Sequence, residues 1–236
     1  MRQFAISDIH GCNRSFNALL DQIGLTSADE LFLLGDYIDR GPDSKGVLDT
    51  IIGLQSKGYK VKCLMGNHDE AMLKAKINRH FFVDWLAGWG GEQTLESFNA
   101  KHWDDIAPKY WQFLQSLAFF WETDGYILVH AGLNFKLSDP FSNKADLMYI
   151  RDWYKDVNYD WLGKRCIVHG HTPITIEQCE TLLQNLDNHQ VIDVDTGCFA
   201  GTRLPGKGYL TALDMTNRQL IFQKCLDDVS GYWAGR

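Results

Sequence analysis

Three observations predict an α/β fold for this chain. Short apolar runs alternate with longer amphipathic stretches from the N-terminus onward; polar clusters follow the ends of several of those runs; and the composition is that of a globular protein with room for a sizeable core. The 236 residues carry 23 basic and 30 acidic side chains, a formal net charge of −7, and 45% are hydrophobic. The acidic balance argues against nonspecific binding to nucleic acid or to an anionic membrane, because either needs a positive field. No apolar run nears the roughly 20 residues that span a bilayer. The start runs directly into a strand-like segment without an apolar leader, which points to the cytoplasm.

In order, residues 3–7 read as a buried strand. Asn13 is placed to cap a helix whose Phe16, Leu19, Leu20 and Ile23 share one face, and Gly24 to end it. Residues 30–34 form the next strand. Asp43 or Ser44 starts a second helix through Val47, Leu48, Ile51 and Leu54, ended near Gly58, and a third strand covers 59–65. From about 70 to 117 the text turns helical and aromatic, with Phe81, Phe82, Trp85, Trp89, Trp103, Tyr110 and Trp111, and is expected to be a helical insertion supplying core. Strands return at 118–122, 126–130, 166–169, 191–194, 208–215 and 219–225. Without repeats or linkers, the expectation is one domain over 1–236, with 231–236 loosely held. The six cysteines, Cys12, Cys63, Cys166, Cys179, Cys198 and Cys225, are scattered without a paired motif. They read as reduced thiols, none grouped for a metal.

Five polar clusters close predicted strands, where an α/β sheet builds its ligand crevice: Asp8-Ile9-His10-Gly11, Gly35-Asp36-Tyr37-Ile38-Asp39-Arg40-Gly41, Gly66-Asn67-His68-Asp69, His130-Ala131-Gly132 and His169-Gly170-His171-Thr172. Singly, each has a structural reading as a cap or turn. In sequence within one chain they assemble carboxylates, imidazoles and a carboxamide at a common edge, the mixed oxygen and nitrogen set that suits Mn²⁺, Fe²⁺ or Zn²⁺.

These motifs resemble those of the calcineurin-like metallophosphoesterases. The Gly-Asp-x-x-Asp-Arg-Gly form is similar to that of the phosphoprotein phosphatase branch, which includes bacteriophage lambda protein phosphatase and symmetrical diadenosine tetraphosphatase. The resemblance runs from Asp8 to His171 and on to Asp195-Thr196-Gly197. It implies two packed mixed β-sheets flanked by helices, a four-layer sandwich, with two divalent ions at the strand ends, Mn²⁺ first and Fe, Zn or Ni as alternatives. By the same resemblance Asp8 and His10 bind the first metal, Asp36 bridges, and Asn67, His130 and His171 complete the second. His68 is the general acid, Asp39 orients it and Arg40 holds the phosphate, while a metal-bridging hydroxide attacks phosphorus directly.

Met148-Tyr149-Ile150-Arg151-Asp152 resembles a bacterial segment that supplies a second phosphate-binding arginine, Arg151. The competing reading is a surface arginine paired to Asp152 or Asp156. His169 is an extra imidazole, expected to face away or to flank the site, and Asp69 reads as a helix cap or a support for the ligands. Cys12 reads as a packed thiol, and His80, His102 and His189 as structural or exposed. The segment Trp89-Gly90-Gly91-Glu92-Gln93-Thr94-Leu95 either lines the substrate cleft or starts a helix.

The implied activity is hydrolysis of phosphomonoesters, first phosphoserine or phosphothreonine in proteins, with small phosphorylated substrates also possible partners. The alternative is symmetrical dinucleoside tetraphosphate hydrolysis, which the short chain weighs against. A catalytically silent phosphoprotein-binding module is disfavoured because no expected ligand or acid is missing. The protein is expected to be a monomer that binds neither nucleic acid nor membrane.

Overall fold

Alternation along the strands decides the layering. In β1 (Gln3–Ile6) the side chains of Phe4 and Ile6 join one apolar cluster and Ala5 another. In β2 (Glu30–Leu33) Leu31 and Leu33 join the first cluster and Phe32 the second. A strand buried on both faces reads as a continuous apolar run, as these two do. The structure, a computed structural model, describes residues 1–230; the expected looseness of 231–236 lies outside the described residues.

Helices α1 (Asn13–Gln22) and α2 (Ser44–Ser56) cover the first face, with Phe16, Leu19, Val47, Leu48 and Ile51 in that cluster. Asp43 caps α2 by accepting from Gly46 N at 2.8 Å, as expected. Asn13 does not cap α1. Cys12 holds that position, and the Asn13 amide instead donates to Asp43 Oδ2 at 2.8 Å, bracing the two helix starts against each other.

After β3 (Lys60–Cys63) come α3 (Asn67–Ile77), α4 (Arg79–Gly88), α5 (Gly91–Ser97) and α6 (Pro108–Gln115). Trp85, Tyr110 and Trp111 of this region are buried in the first cluster, while Phe81, Phe82, Trp89 and Trp103 pack partly exposed against it. Next are β4 (Phe120–Glu122), β5 (Tyr126–Val129), α7 (Lys144–Tyr149), α8 (Tyr159–Leu162) and β6 (Cys166–His169). The chain continues through α9 (Ile176–Gln184), α10 (Leu186–His189), β7 (Val191–Asp193), β8 (Tyr209–Asp214) and β9 (Gln219–Lys224). Several strands end a residue or two earlier than the sequence predicts, because the polar residues at their ends leave the ladder to form the site.

One sheet has the order β3-β2-β1-β8-β9, the other β4-β5-β6-β7. β1, β2 and β3 are parallel, as are β5, β6 and β7, whereas β8, β9 and β4 pair antiparallel. Ala5, Phe32, Leu34 and Leu213 of the first sheet meet Leu128, Val168, Ile192 and Val194 of the second. Ile127, Val129 and Ile167 face outward onto Leu147, Trp153 and Leu162. Two mixed sheets therefore pack face to face with helices on the outer sides, the sandwich that the sequence resemblance implied. No helix among the described residues is long and apolar enough to cross a membrane.

Candidate active site

The turns that leave the strands hold the polar clusters in a conformation few side chains adopt. Asp8, His10, Asp36, Asp39, Arg40 and His171 all have positive φ, between 47° and 76°. Left-handed backbone at non-glycine residues costs on the order of 1–3 kcal/mol each and persists where the surroundings enforce it. Here the enforcement is hydrogen bonding between turns. His10 N donates to the Asp36 carbonyl and Gly11 N to that of Tyr37, both at 2.9 Å, and Gly170 N donates to that of His130 at 2.8 Å. The buried Asp69 carboxylate accepts from Asp36 N (2.8 Å), Gly66 N (3.0 Å) and Tyr37 N (3.2 Å), so it caps α3 and ties it to the turn after β2. Gly66 and Gly170 allow the turns to close, since a Cβ would collide with the Asp36 carboxylate at the first and with Ser7 and Asp8 at the second.

The histidine tautomers follow from these turns. Nδ1 of His10 faces the Ile38 carbonyl and Nδ1 of His130 that of Leu34, each at 2.9 Å, so in both neutral rings Nδ1 donates and Nε2 carries the lone pair. Those two nitrogens face opposite oxygens of one carboxylate: His10 Nε2 is 3.5 Å from Asp36 Oδ2 and His130 Nε2 is 3.6 Å from Asp36 Oδ1. Asn67 Oδ1, another acceptor, lies 3.0 Å from His130 Nε2 and 2.9 Å from His171 Nδ1. Buried His171 Nε2 has no hydrogen-bond partner among the described residues. Acceptors facing acceptors away from water are costly unless a cation lies among them, so the donor set fits divalent ions on either side of Asp36.

Two tight groups of donor atoms, each within 4.8 Å, are His10, Asp36 and His68, and Asp36, His130 and His171. Asp8 belongs to neither. Its Oδ2 accepts from the Ser7 hydroxyl and, at 3.1 Å, from His171 N, which joins the ends of β1 and β6.

Electrostatics point the same way. Burial raises Asp8 to about 6 and pushes Asp69 upward, with Asp36 adding to both. Burial, then the Arg40 charge, lowers His10 and His68, and burial, then His130, lowers His171 to about 2. Carboxyls held up and imidazoles held down mark a buried site in which water stabilises charged forms poorly.

His68 Nδ1 meets Asp39 Oδ2 at 2.8 Å. The same oxygen accepts from Trp85 Nε1 at 3.0 Å, and Asp39 Oδ1 accepts from Thr94 Oγ1 at 2.6 Å. Burial nevertheless raises Asp39 to about 8. Arg40 lies over the Phe199 ring, 4.5 Å from its centroid, and its Nη1 donates to His10 Nε2 at 3.0 Å. Arg151 is exposed and donates to Thr172 Oγ1 at 2.7 Å. Both arginines line a cleft of about 550 Å³ with Asn67, His68, Trp89, Tyr149 and His171.

A profile of the calcineurin-like phosphoesterases matches residues 1–197. The chain belongs to that family. Among curated proteins it is 35% identical over 142 residues to the symmetrical bis(5'-nucleosyl)-tetraphosphatase of Nitrosomonas europaea, a match covering 56% of this chain and 45% of that protein. The chain thus matches about half the length of that relative. It is 25% identical over 228 residues to the asymmetrical bis(5'-nucleosyl)-tetraphosphatase of Bacillus subtilis, covering 85% of this chain and 88% of that one. A solved protein serine/threonine phosphatase from Saccharomyces cerevisiae shares the fold with a TM-score of 0.66 at 14% identity, covering 96% of this chain and 81% of that chain.

Around the phosphoesterase site, several sequence expectations find definite places. Arg151 faces the cleft, and the charge expected of Asp156 goes to Lys136, at 3.2 Å. Buried His169 turns the other way, with Nδ1 at 3.0 Å from the Gly170 carbonyl and Nε2 at 2.6 Å from the Tyr154 hydroxyl. Both readings of the segment from Trp89 to Leu95 hold, since Trp89 lines the cleft and α5 begins at Gly91.

The cysteines correct the sequence reading. All six are free, but Cys12, Cys198 and Cys225 are grouped, their sulfurs within 4.8 Å of one another, although no spacing in the sequence joins them. Thr94, Trp85 and Phe199 were missed as individual contributors. Thr94 lay inside a segment already singled out, whereas Trp85 and Phe199 had no signal beyond being aromatic.

Proposed function

We propose that this phosphoesterase hydrolyses the phosphoanhydride of a dinucleoside polyphosphate. The observation that carries the reading is that curated relatives in two different alignments, one extending over 85% of the chain, bear the name bis(5'-nucleosyl)-tetraphosphatase. This ranks the dinucleoside tetraphosphate alternative above the phosphoserine or phosphothreonine substrate expected from the motifs alone. The cleft supports it, because Trp89 and Leu86 give an apolar wall on which a nucleobase can rest beside two arginines.

Asp8, His10, Asp36, Asn67, His130 and His171 would hold a pair of divalent cations. When bound, such ions supply an activated water at neutral pH and neutralise phosphoryl oxygens. Arg40 and Arg151 clamp the phosphate from two sides through charge-assisted hydrogen bonds. Water adds to phosphorus in line with the departing oxygen as the phosphorus–oxygen bond breaks, and gives up a proton in doing so. His68, held by Asp39, returns a proton to the departing oxygen, passing through its imidazolium form. An anhydride leaves as a stabilised phosphate anion, so it needs that proton less than a serine alkoxide does.

The test is kcat/KM of Mn²⁺-loaded protein on diadenosine tetraphosphate and on a phosphothreonine peptide, with metal-stripped protein as control. A larger value on the dinucleotide is expected, with Asp36→Asn inactive on both. A larger value on the peptide restores the protein phosphatase reading, and no turnover of either substrate at any metal loading revives the binding module.

A further inference from the structure

Cys12 at the start of α1, Cys198 in the turn after β7 and Cys225 just past β9 come from three distant parts of the chain. Their sulfurs nevertheless lie within 4.8 Å of one another, with Cys12 and Cys198 buried and Cys225 half-buried. A zinc–sulfur bond of about 2.3 Å places thiolates of one coordination sphere roughly 3.8–4.0 Å apart, so side-chain adjustment of under ~1 Å closes the three around an ion. We propose that Cys12, Cys198 and Cys225 form a binding site for a thiophilic d¹⁰ cation of the zinc or copper(I) class, separate from the centre lined by histidines and carboxylates.

Hydrogen bonds from Cys12 and Cys198 hold the Cys225 thiol low, as a thiolate ready to ligate. Among the described residues, the Asp227 carboxylate borders the cluster. It accepts from Ser15 Oγ at 2.5 Å and Ser15 N at 2.9 Å, and that hydroxyl lies beside the Cys198 and Cys225 thiols. Soft sulfur ligands also select against the harder ions that the catalytic donors suit.

The site is coupled to the catalytic cleft by two short links. Cys12 Sγ donates to the His10 carbonyl at 3.6 Å. Cys198 precedes Phe199, whose ring contacts the His10 ring at 5.0 Å and carries the Arg40 guanidinium. An ion held by the three thiolates would pin the turn on which Arg40 rests.

The test uses the full chain, kept reduced under anaerobic conditions, saturated with Mn²⁺ and then titrated with Cd²⁺. Cadmium bound to thiolate gives an ultraviolet charge-transfer band, read as a difference spectrum, that histidine and carboxylate ligands do not. Wild type is expected to develop the band with one equivalent of Cd²⁺, Cys225→Ser and Cys198→Ala to lose most of it, and Cys63→Ala to keep it. Absence of the band in wild type overturns the proposal without recourse to any variant. So does a band that survives Cys225→Ser, or a thiol count under the same conditions showing two of the three already joined as a disulfide.

Discussion

Thr94→Val separates the support of His68, the proposed proton donor, from the packing around it. Valine has nearly the shape of threonine, so the fully buried position stays filled while the hydroxyl is lost. The Asp39 amide keeps an acceptor, because it faces both Thr94 Oγ1 at 3.0 Å and Ser44 Oγ at 3.1 Å. Asp39 Oδ1 does not, since Thr94 Oγ1 is the donor the structure gives it. The loss is therefore the buried bond to Asp39 together with the 3.1 Å bond between the Thr94 and Ser44 hydroxyls, about 1–3 kcal/mol. It is expected in urea denaturation of the metal-free protein as a lower midpoint at unchanged slope. Asp39 freed on one side holds His68 less firmly, so kcat on a phosphomonoester falls roughly tenfold, a small part of what an acid catalyst supplies. Thr94→Ser, which keeps the hydroxyl, restores most of both. A valine variant with wild-type midpoint and wild-type kcat refutes the chain of support from Thr94 through Asp39 to His68.

Gly66→Ala forces a methyl into the Asp36 carboxylate and amide. It is expected to weaken Mn²⁺ binding, measured calorimetrically, and to reduce turnover by about two orders of magnitude; wild-type affinity would show that the turn relaxes freely. Arg2 holds Asp29 through Nη2–Oδ2 at 2.7 Å and Nε–Oδ1 at 3.2 Å, and that bond keeps the carboxyl well below the usual carboxylate range. A carboxyl depressed in the folded state stabilises fully above its unfolded value near ~4 and loses that contribution as pH falls toward its folded value. Asp29→Asn should thus cost about 1–2 kcal/mol at pH 7, discounted for the partly exposed arginine, and progressively less below about pH 4. Equal destabilisation at pH 7 and pH 3 counts against the ion pair.

The strands and the strand-end clusters were legible because each rests on local chemistry. An apolar run with a polar stop beyond it identifies β1, β2, β5 and β6 within a residue or two. The two-sheet layering came from the family resemblance, since no local pattern says that β8 returns to pair with β1. The supports of Asp39 were not legible for the same reason. Thr94 is 55 residues away in sequence, and its hydroxyl acquires meaning only when α5 packs on the turn after β2. The thiol cluster was not legible because no spacing along the chain joins its members, while the fold collects Cys12, Cys198 and Cys225 from the start of α1 and two late turns. Asn13 failed as a cap because Asp227, from far along the chain, accepts from Arg14 N and Ser15 N in its place.

The pairing of β1 with β8 also bears on biogenesis. β1 is the middle strand of its sheet, yet one of its two neighbours, β8, follows it only after most of the other strands and helices. The parallel unit β1-α1-β2-α2-β3 can condense early, but it does so with the backbone of Phe4 to Ile6 unpaired along one side. Such an open edge is a template for pairing with other chains, and closing it by so distant a strand is slow. Nascent chains that stall before Tyr209 would therefore expose an adhesive edge and an unsupported turn at Asp8 together. The completed hairpin of β8 and β9 protects against aggregation as well as closing the sheet.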